Sequence, residues 1–183
     1  MELSELIRTR RTVHNYKPEK VADALVQEAL RLALWAPNHK LTFPWGFFMT
    51  GAATRKKLAD LAVEIKNAKE PLSDVKKMAA RDNILNPSHL ILIGVKRSDA
   101  RREHEDYATL ACSVQIASMF LWEKGIGTKW STGAYFTGEH TYEIAGVSPA
   151  EYRLEGALII GVPQVIPRAT ERPVLNGFLH QLT

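Results

Sequence analysis

Apolar positions in this chain fall into two kinds of run. Residues 88–95 (SHLILIGV) and 154–162 (LEGALIIGV) are apolar almost without a break, the pattern of strands buried on both faces. Two shorter stretches, 44–49 (PWGFFM) and 126–131 (IGTKWS), read as further strands. Between them, apolar residues recur at helical spacing. Residues 2–10 predict a short helix. A second is expected over 17–35, opened by Lys17-Pro18, because proline is pre-set for a first helical turn, and stopped by Ala36-Pro37. Leu58, Leu61, Ala62 and Ile65 share one face of a helix over 54–66.

Residues 100–124 carry the longest helical pattern. It starts charged and becomes apolar nearly all round after Ala108, so its second half is expected in the core, with Gly125 as its cap. Another helix is expected over 138–145, capped by Gly146. Residues 67–87 are polar, with Pro71 and Pro87, and read as a helical excursion or a mobile loop. The tail, with Pro167, Pro173 and Gly177, reads as extended. Several helices and about four buried strands in mixed order predict an α+β fold, a central mixed sheet flanked by helices. No repeat, low-complexity tract or linker divides the chain, so residues 1–183 are read as a single domain.

With 183 residues, 45% hydrophobic and 24% charged, the composition is that of a globular protein and disfavours disorder, collagen and coiled coil. A chain of this size holds a core without disulfides or a structural metal. Cys112 stands alone in an apolar helical setting and is expected to be buried and inert. No run reaches the ~18 apolar residues of a membrane helix. The first residues lack the basic-then-apolar order of a signal peptide, so a cytoplasmic protein with no membrane partner is expected. The net charge of +4 permits an anionic cofactor or nucleic acid and requires neither.

Six histidines show no metal-ligand spacing, and no metal is expected. Gly125-Ile126-Gly127 follows a helix and feeds a strand, the reverse of a dinucleotide loop, and reads as a helix cap and tight turn. Arg8, Arg10 and Arg11 crowd the end of the first helix, followed by Thr12 and His14. Guanidinium grips phosphate oxygens in pairs, so a phosphate site is one reading. A cationic helix end complementing the dipole is the other. On a continuous helix Arg10 and Arg11 would diverge by about 100°. Trp130-Ser131-Thr132-Gly133 either approaches a planar heterocycle or packs a strand end. The polar turn Ala36-Pro37-Asn38-His39-Lys40, leading to Phe43-Pro44-Trp45, either is a ligand-bearing loop or carries its prolines for structural reasons alone.

Taken together and in order, these pieces resemble the nitroreductase family of flavin enzymes, in particular its small single-domain NAD(P)H-dependent members. The resemblance rests on Arg10-Arg11-Thr12, on Ala36-Pro37-Asn38-His39 leading to Pro44-Trp45, and on Gly125-Ile126-Gly127 leading to Trp130-Ser131-Thr132-Gly133. Gly156 to Pro163 followed by Arg172-Pro173 completes it. Leu41 and Phe43 stand where many members carry Asn and Gln.

The resemblance implies an intertwined homodimer with FMN at the subunit interface. Arg10, Arg11 and Thr12 would meet the phosphate and ribityl chain, with Arg172 a further phosphate candidate. His39 would lie by the flavin, together with Trp35 of the partner subunit, and Trp130, Ser131 and Thr132 would line its other side. The implied activity is NAD(P)H-dependent reduction of a small acceptor, a nitroaromatic or quinone, with ping-pong kinetics, NADH or NADPH being the hydride donor. His14 or an Arg would stabilise reduced flavin, and no catalytic residue is assigned. The alternatives are a flavoprotein with other redox chemistry, as a dehydrogenase or flavin-modifying enzyme, and a basic nucleic-acid-binding domain. Against the last, aromatic residues do not interleave with the basic clusters, and no nucleic acid is expected.

Overall fold

The computed structural model describes residues 2–182. Four strands form one sheet in the order β1-β2-β4-β3: β1 (Trp45–Met49), β2 (His89–Lys96), β3 (Gly127–Ser131) and β4 (Tyr152–Gly161). All three pairings are antiparallel. The parallel component is a single bridge, Thr12 to Thr128 on the outer side of β3.

Both faces of the sheet are covered, which is why β2 and β4 read as unbroken apolar runs. On one face Leu90, Leu92, Ala157 and Ile159 pack with Leu58 and Ala62 of α3 (Ala52–Lys69), Ile84 of α4 (Asp74–Leu85) and Phe136 of α6 (Ala134–Thr137). On the other, Ile91, Ile93, Val95, Leu158 and Ile160 meet Val26 and Ala29 of α2 (Asp23–Ala33). Leu110, Val114, Ala117 and Leu121 of α5 (Ala100–Glu123) complete that layer. Helices α1 (Leu3–Thr9) and α7 (Glu139–Ala145) lie at the periphery.

The structure departs from the sequence expectation at the start of α2 and at Cys112, and it decides between the two readings of residues 67–87 in favour of a helix. α2 starts at Asp23 rather than near Pro18, because the preceding backbone is committed to the sheet. The Lys17 amide donates to the Val162 carbonyl at 2.9 Å, and the Val21 amide to Ser88 Oγ at 2.8 Å. Most of the polar stretch 67–87 forms α4. Ser73 Oγ accepts from the Lys76 amide at its start. At its end, Arg55 of α3 donates to the carbonyls of Ile84, Leu85, Pro87 and Ser88. Finally, Cys112 is exposed, not buried: it lies on an outward stripe of α5 with Ala108 and Gln115, at helical spacing.

A bulge shapes β4. Ile93 pairs with Gly156 and Gly94 with Leu154, which leaves Glu155 outside the ladder. Gly156 has φ 125°, and a Cβ there would collide with the Ser131 carbonyl, so only glycine fits.

Candidate functional site

α1 stops at Thr9, and Arg10 leaves it extended at φ −56°, ψ 133°. The chain then runs beside β3, and the Val13 amide donates to the Thr128 carbonyl at 3.0 Å. Arg10 and Arg11 thus both lie beyond the helix, and the divergence of a continuous helix does not apply. Of the two roles left open by the sequence, Arg11 takes the helix end. Arg11 Nη1 donates to the carbonyls of Arg8 at 2.7 Å and Arg10 at 2.8 Å, satisfying the helix end. Arg10 has no acidic partner among the described residues. Burial lowers its pKa, and the positive charges of Arg11 and Arg172 lower it further. Arg10 is a half-buried cation among like charges, with no counter-ion among the described residues. Arg172 itself is exposed, in the tail. Thr12 and His14 are also exposed.

β3 adds a second cation that the sequence reading did not single out. Lys129 lies opposite Ile159, on the face of the sheet that carries α3. Its pKa is lowered by burial and then by Lys66 of α3. The Lys66 ammonium sits 5.4 Å from the centroid of the Tyr135 ring. The visible signal was a single lysine within a strand otherwise covered on both faces.

Trp130 points the other way. Its indole Nε1 donates to the Glu155 carbonyl, freed by the bulge, at 3.0 Å, and its ring lies 6.0 Å from that of Tyr107 on α5. The side chain is therefore used in packing, and what Trp130, Ser131 and Thr132 offer a ligand is mainly backbone. Ser131 is buried opposite Ala157, and Thr132 is exposed beyond the strand. Beside Trp130, Arg153 Nε lies 2.6 Å from Glu155 Oε1. Burial raises the Glu155 pKa, with Arg153 opposing the shift.

Trp35 and His39 belong to a different constellation, the connection from α2 to β1. Trp35 is 84% exposed. His39 Nε2 lies 3.8 Å from Glu105 Oε2 of α5. Pro37, Asn38 and His39 face Glu105, Ala108, Thr109 and Cys112 across a cleft of about 510 Å³. Within the described chain, no hydrogen bond or ion pair joins these residues to Arg10, Arg11 or Thr12. The loop is strained: Lys40, Leu41 and Phe43 have φ of 55°, 51° and 48°. A non-glycine residue in this region costs about 1–2 kcal/mol.

A larger cleft, about 820 Å³, opens elsewhere, between Tyr142 and Glu143 of α7, Ser148 and Arg153. Among the described residues, no group of three or more His, Cys, Asp or Glu side chains is placed to hold a metal ion. No described helix is long and apolar enough to cross a membrane.

The chain is similar in sequence to a Bacillus subtilis protein named "Putative NAD(P)H nitroreductase YfhC", 27% identical over 180 residues, covering 96% of this chain and 92% of that one. Among solved structures it resembles a nitroreductase-like family protein from Bacillus cereus, with TM-score 0.85 and 26% identity, covering 100% of this chain and 96% of that chain. It also shares the fold of the FMN-dependent nitroreductase NfnB from Mycobacterium smegmatis, solved with NADPH, with TM-score 0.76 and 16% identity over 98% and 97% of the two chains. The family model described as "Nitroreductase family" matches residues 7–162, from α1 through the end of β4 and so across both Arg10-Arg11-Thr12 and Trp130-Ser131-Thr132; this chain belongs to that family.

Proposed function

We propose that the chain is an FMN-dependent oxidoreductase that uses NADH or NADPH to reduce a small acceptor, a nitroaromatic or quinone. The single observation that carries this reading is Arg10, half-buried beside Arg11 and Arg172 with no acidic partner among the described residues. FMN is a dianion with an aromatic ring, and the residues present fit it. Arg10, Arg172 and the Thr12 hydroxyl would hold the phosphate, with Arg11 adding charge while it closes the helix. The backbone of Ser131 and Thr132, beside Gly133, would border the ring. The chemistry that FMN supplies when bound is acceptance of hydride from NAD(P)H and delivery of electrons to the acceptor, in a ping-pong cycle. The protein's part is to orient both partners and hold positive charge near the cofactor. No side chain is assigned as a proton donor.

A homodimer belongs to this reading. The outward stripe Ala108, Cys112 and Gln115 on α5 is continuous with the cleft that contains His39. Exposed Trp35, Leu41 and Phe43 lie on the same connection, and Leu175, Phe178 and Leu182 in the tail are also exposed. Covering them with a second copy would bring Trp35 and His39 of one chain toward the Arg10 cluster of the other.

Anaerobic mixing with NADH or NADPH tests the activity. Bleaching of flavin absorbance by the nicotinamide, and its recovery on adding a nitroaromatic or quinone, is the expected result. A protein that binds FMN but is not reduced by either donor would assign the fold to other redox chemistry.

A further inference from the structure

We propose that Asp106 is a positioning residue that, through the Thr42 hydroxyl, holds the left-handed residues Lys40, Leu41 and Phe43 of the loop 38–43 in place and so fixes where His39 and Phe43 are presented. Asp106 sits on α5, 3% exposed, with no ion pair among the described residues. A buried carboxylate without a cation is costly unless a hydrogen bond repays it. The one it receives among the described residues comes from Thr42 Oγ1 at 2.5 Å. Thr42 has a single hydroxyl proton and spends it on Asp106, so its oxygen is left to accept, and Asn38 Nδ2 donates to it at 2.9 Å. That orients the Asn38 amide with Oδ1 toward the Phe43 N–H, which donates to it at 2.9 Å. The acceptor-only carboxylate thus sets the direction of every bond in the chain. These bonds bracket Lys40, Leu41 and Phe43, the non-glycine residues with positive φ. Strain of this kind persists only where the surroundings over-determine it. The anchor is rigid, because neighbouring Thr109 and Leu110 are buried in the core.

This inference rests on the flavin reading for its consequence, since there the loop borders the cofactor. The test compares wild type, Thr42→Ser, Thr42→Val and Asp106→Ala by amide exchange at Phe43 and by fluorescence titration with FMN. Thr42→Ser keeps the hydroxyl and should match wild type in both. Thr42→Val should speed Phe43 exchange roughly tenfold or more. It should also weaken FMN binding as His39→Ala does, with no further loss in the double variant. Should Thr42→Val fail to fold, Asp106→Ala, which removes the acceptor, carries the same comparison. Unchanged exchange at Phe43 would overturn the lock. FMN losses that simply add between positions 42 and 39 would overturn its link to His39. Failure of the wild type to bind FMN would remove the flavin reading and the role of His39 with it, while Phe43 exchange would still decide the lock.

Discussion

Thr12 lies beside Thr128 in a parallel bridge, and the neighbouring Val13 amide donates to the Thr128 carbonyl at 3.0 Å. This pairing carries the arginine segment alongside β3, the strand that holds Trp130 and Ser131. It also explains why the Arg10 and Arg11 side chains differ: the helix has already ended, and Arg11 turns back to its carbonyls, whereas Arg10 makes no such bond among the described residues.

Replacing the two arginines should therefore have different effects. A hydrogen bond to a charged group contributes about 1.5–3 kcal/mol, roughly tenfold to a hundredfold in affinity. Arg10→Ala should weaken FMN binding by that factor and leave riboflavin, which lacks the phosphate, nearly unchanged. Arg11→Ala should lower thermal stability as well, because it uncovers helix-end carbonyls. Fluorescence titration with both flavins checks the difference.

Gly156→Ala should destabilise the fold by about 2 kcal/mol or more, since φ is 125° and the added methyl meets the Ser131 carbonyl. The bulge that frees the Glu155 carbonyl for Trp130 would shift with it. Urea unfolding, with Trp fluorescence as the probe, reads both effects.

How much of this was legible in the sequence depended on what fixed each feature. β2 and β4 were legible because burial on both faces leaves only apolar residues. The arginine segment and the turn at Pro37 were legible because they combine helix stops with unusual chemistry. α4 was legible only as one of two readings, because its apolar face is narrow and its C-terminal end is satisfied by Arg55, distant in sequence. Exposure of Cys112 was hidden for the opposite reason: an apolar stripe reads as core whether it faces the chain's own interior or the outside. The Asn38–Thr42–Asp106 chain joins a loop to a helix far along the polypeptide, and no local pattern marks such a contact.

Tyr16 gives a pH dependence. Its buried hydroxyl donates to the Val13 carbonyl at 2.8 Å, and burial raises its pKa well above the ordinary phenol value. For an acid whose folded pKa is raised, the unfolded chain loses its proton first. Stability should then be full below about pH 10 and fall as pH rises beyond it. Tyr16→Phe should be less stable near neutral pH, through the lost hydrogen bond, yet show a shallower alkaline decline. Thermal melts between neutral and alkaline pH measure the slope.

The dimer reading makes Ala108 a sensitive position. Arginine is a good helix former and Ala108 is exposed in the single chain, so Ala108→Arg should fold. It should nevertheless shift the protein from dimer to monomer and reduce FMN retention. Light scattering coupled to gel filtration, with absorbance recorded on the same peak, checks both at once.

The central claim, that Arg10 and its cationic neighbours hold a flavin phosphate, is tested most directly by the visible spectrum of the purified protein and the mass of whatever it releases on denaturation. The account predicts a yellow protein that yields FMN, one per chain. A colourless protein that takes up no FMN when it is supplied in excess would contradict it.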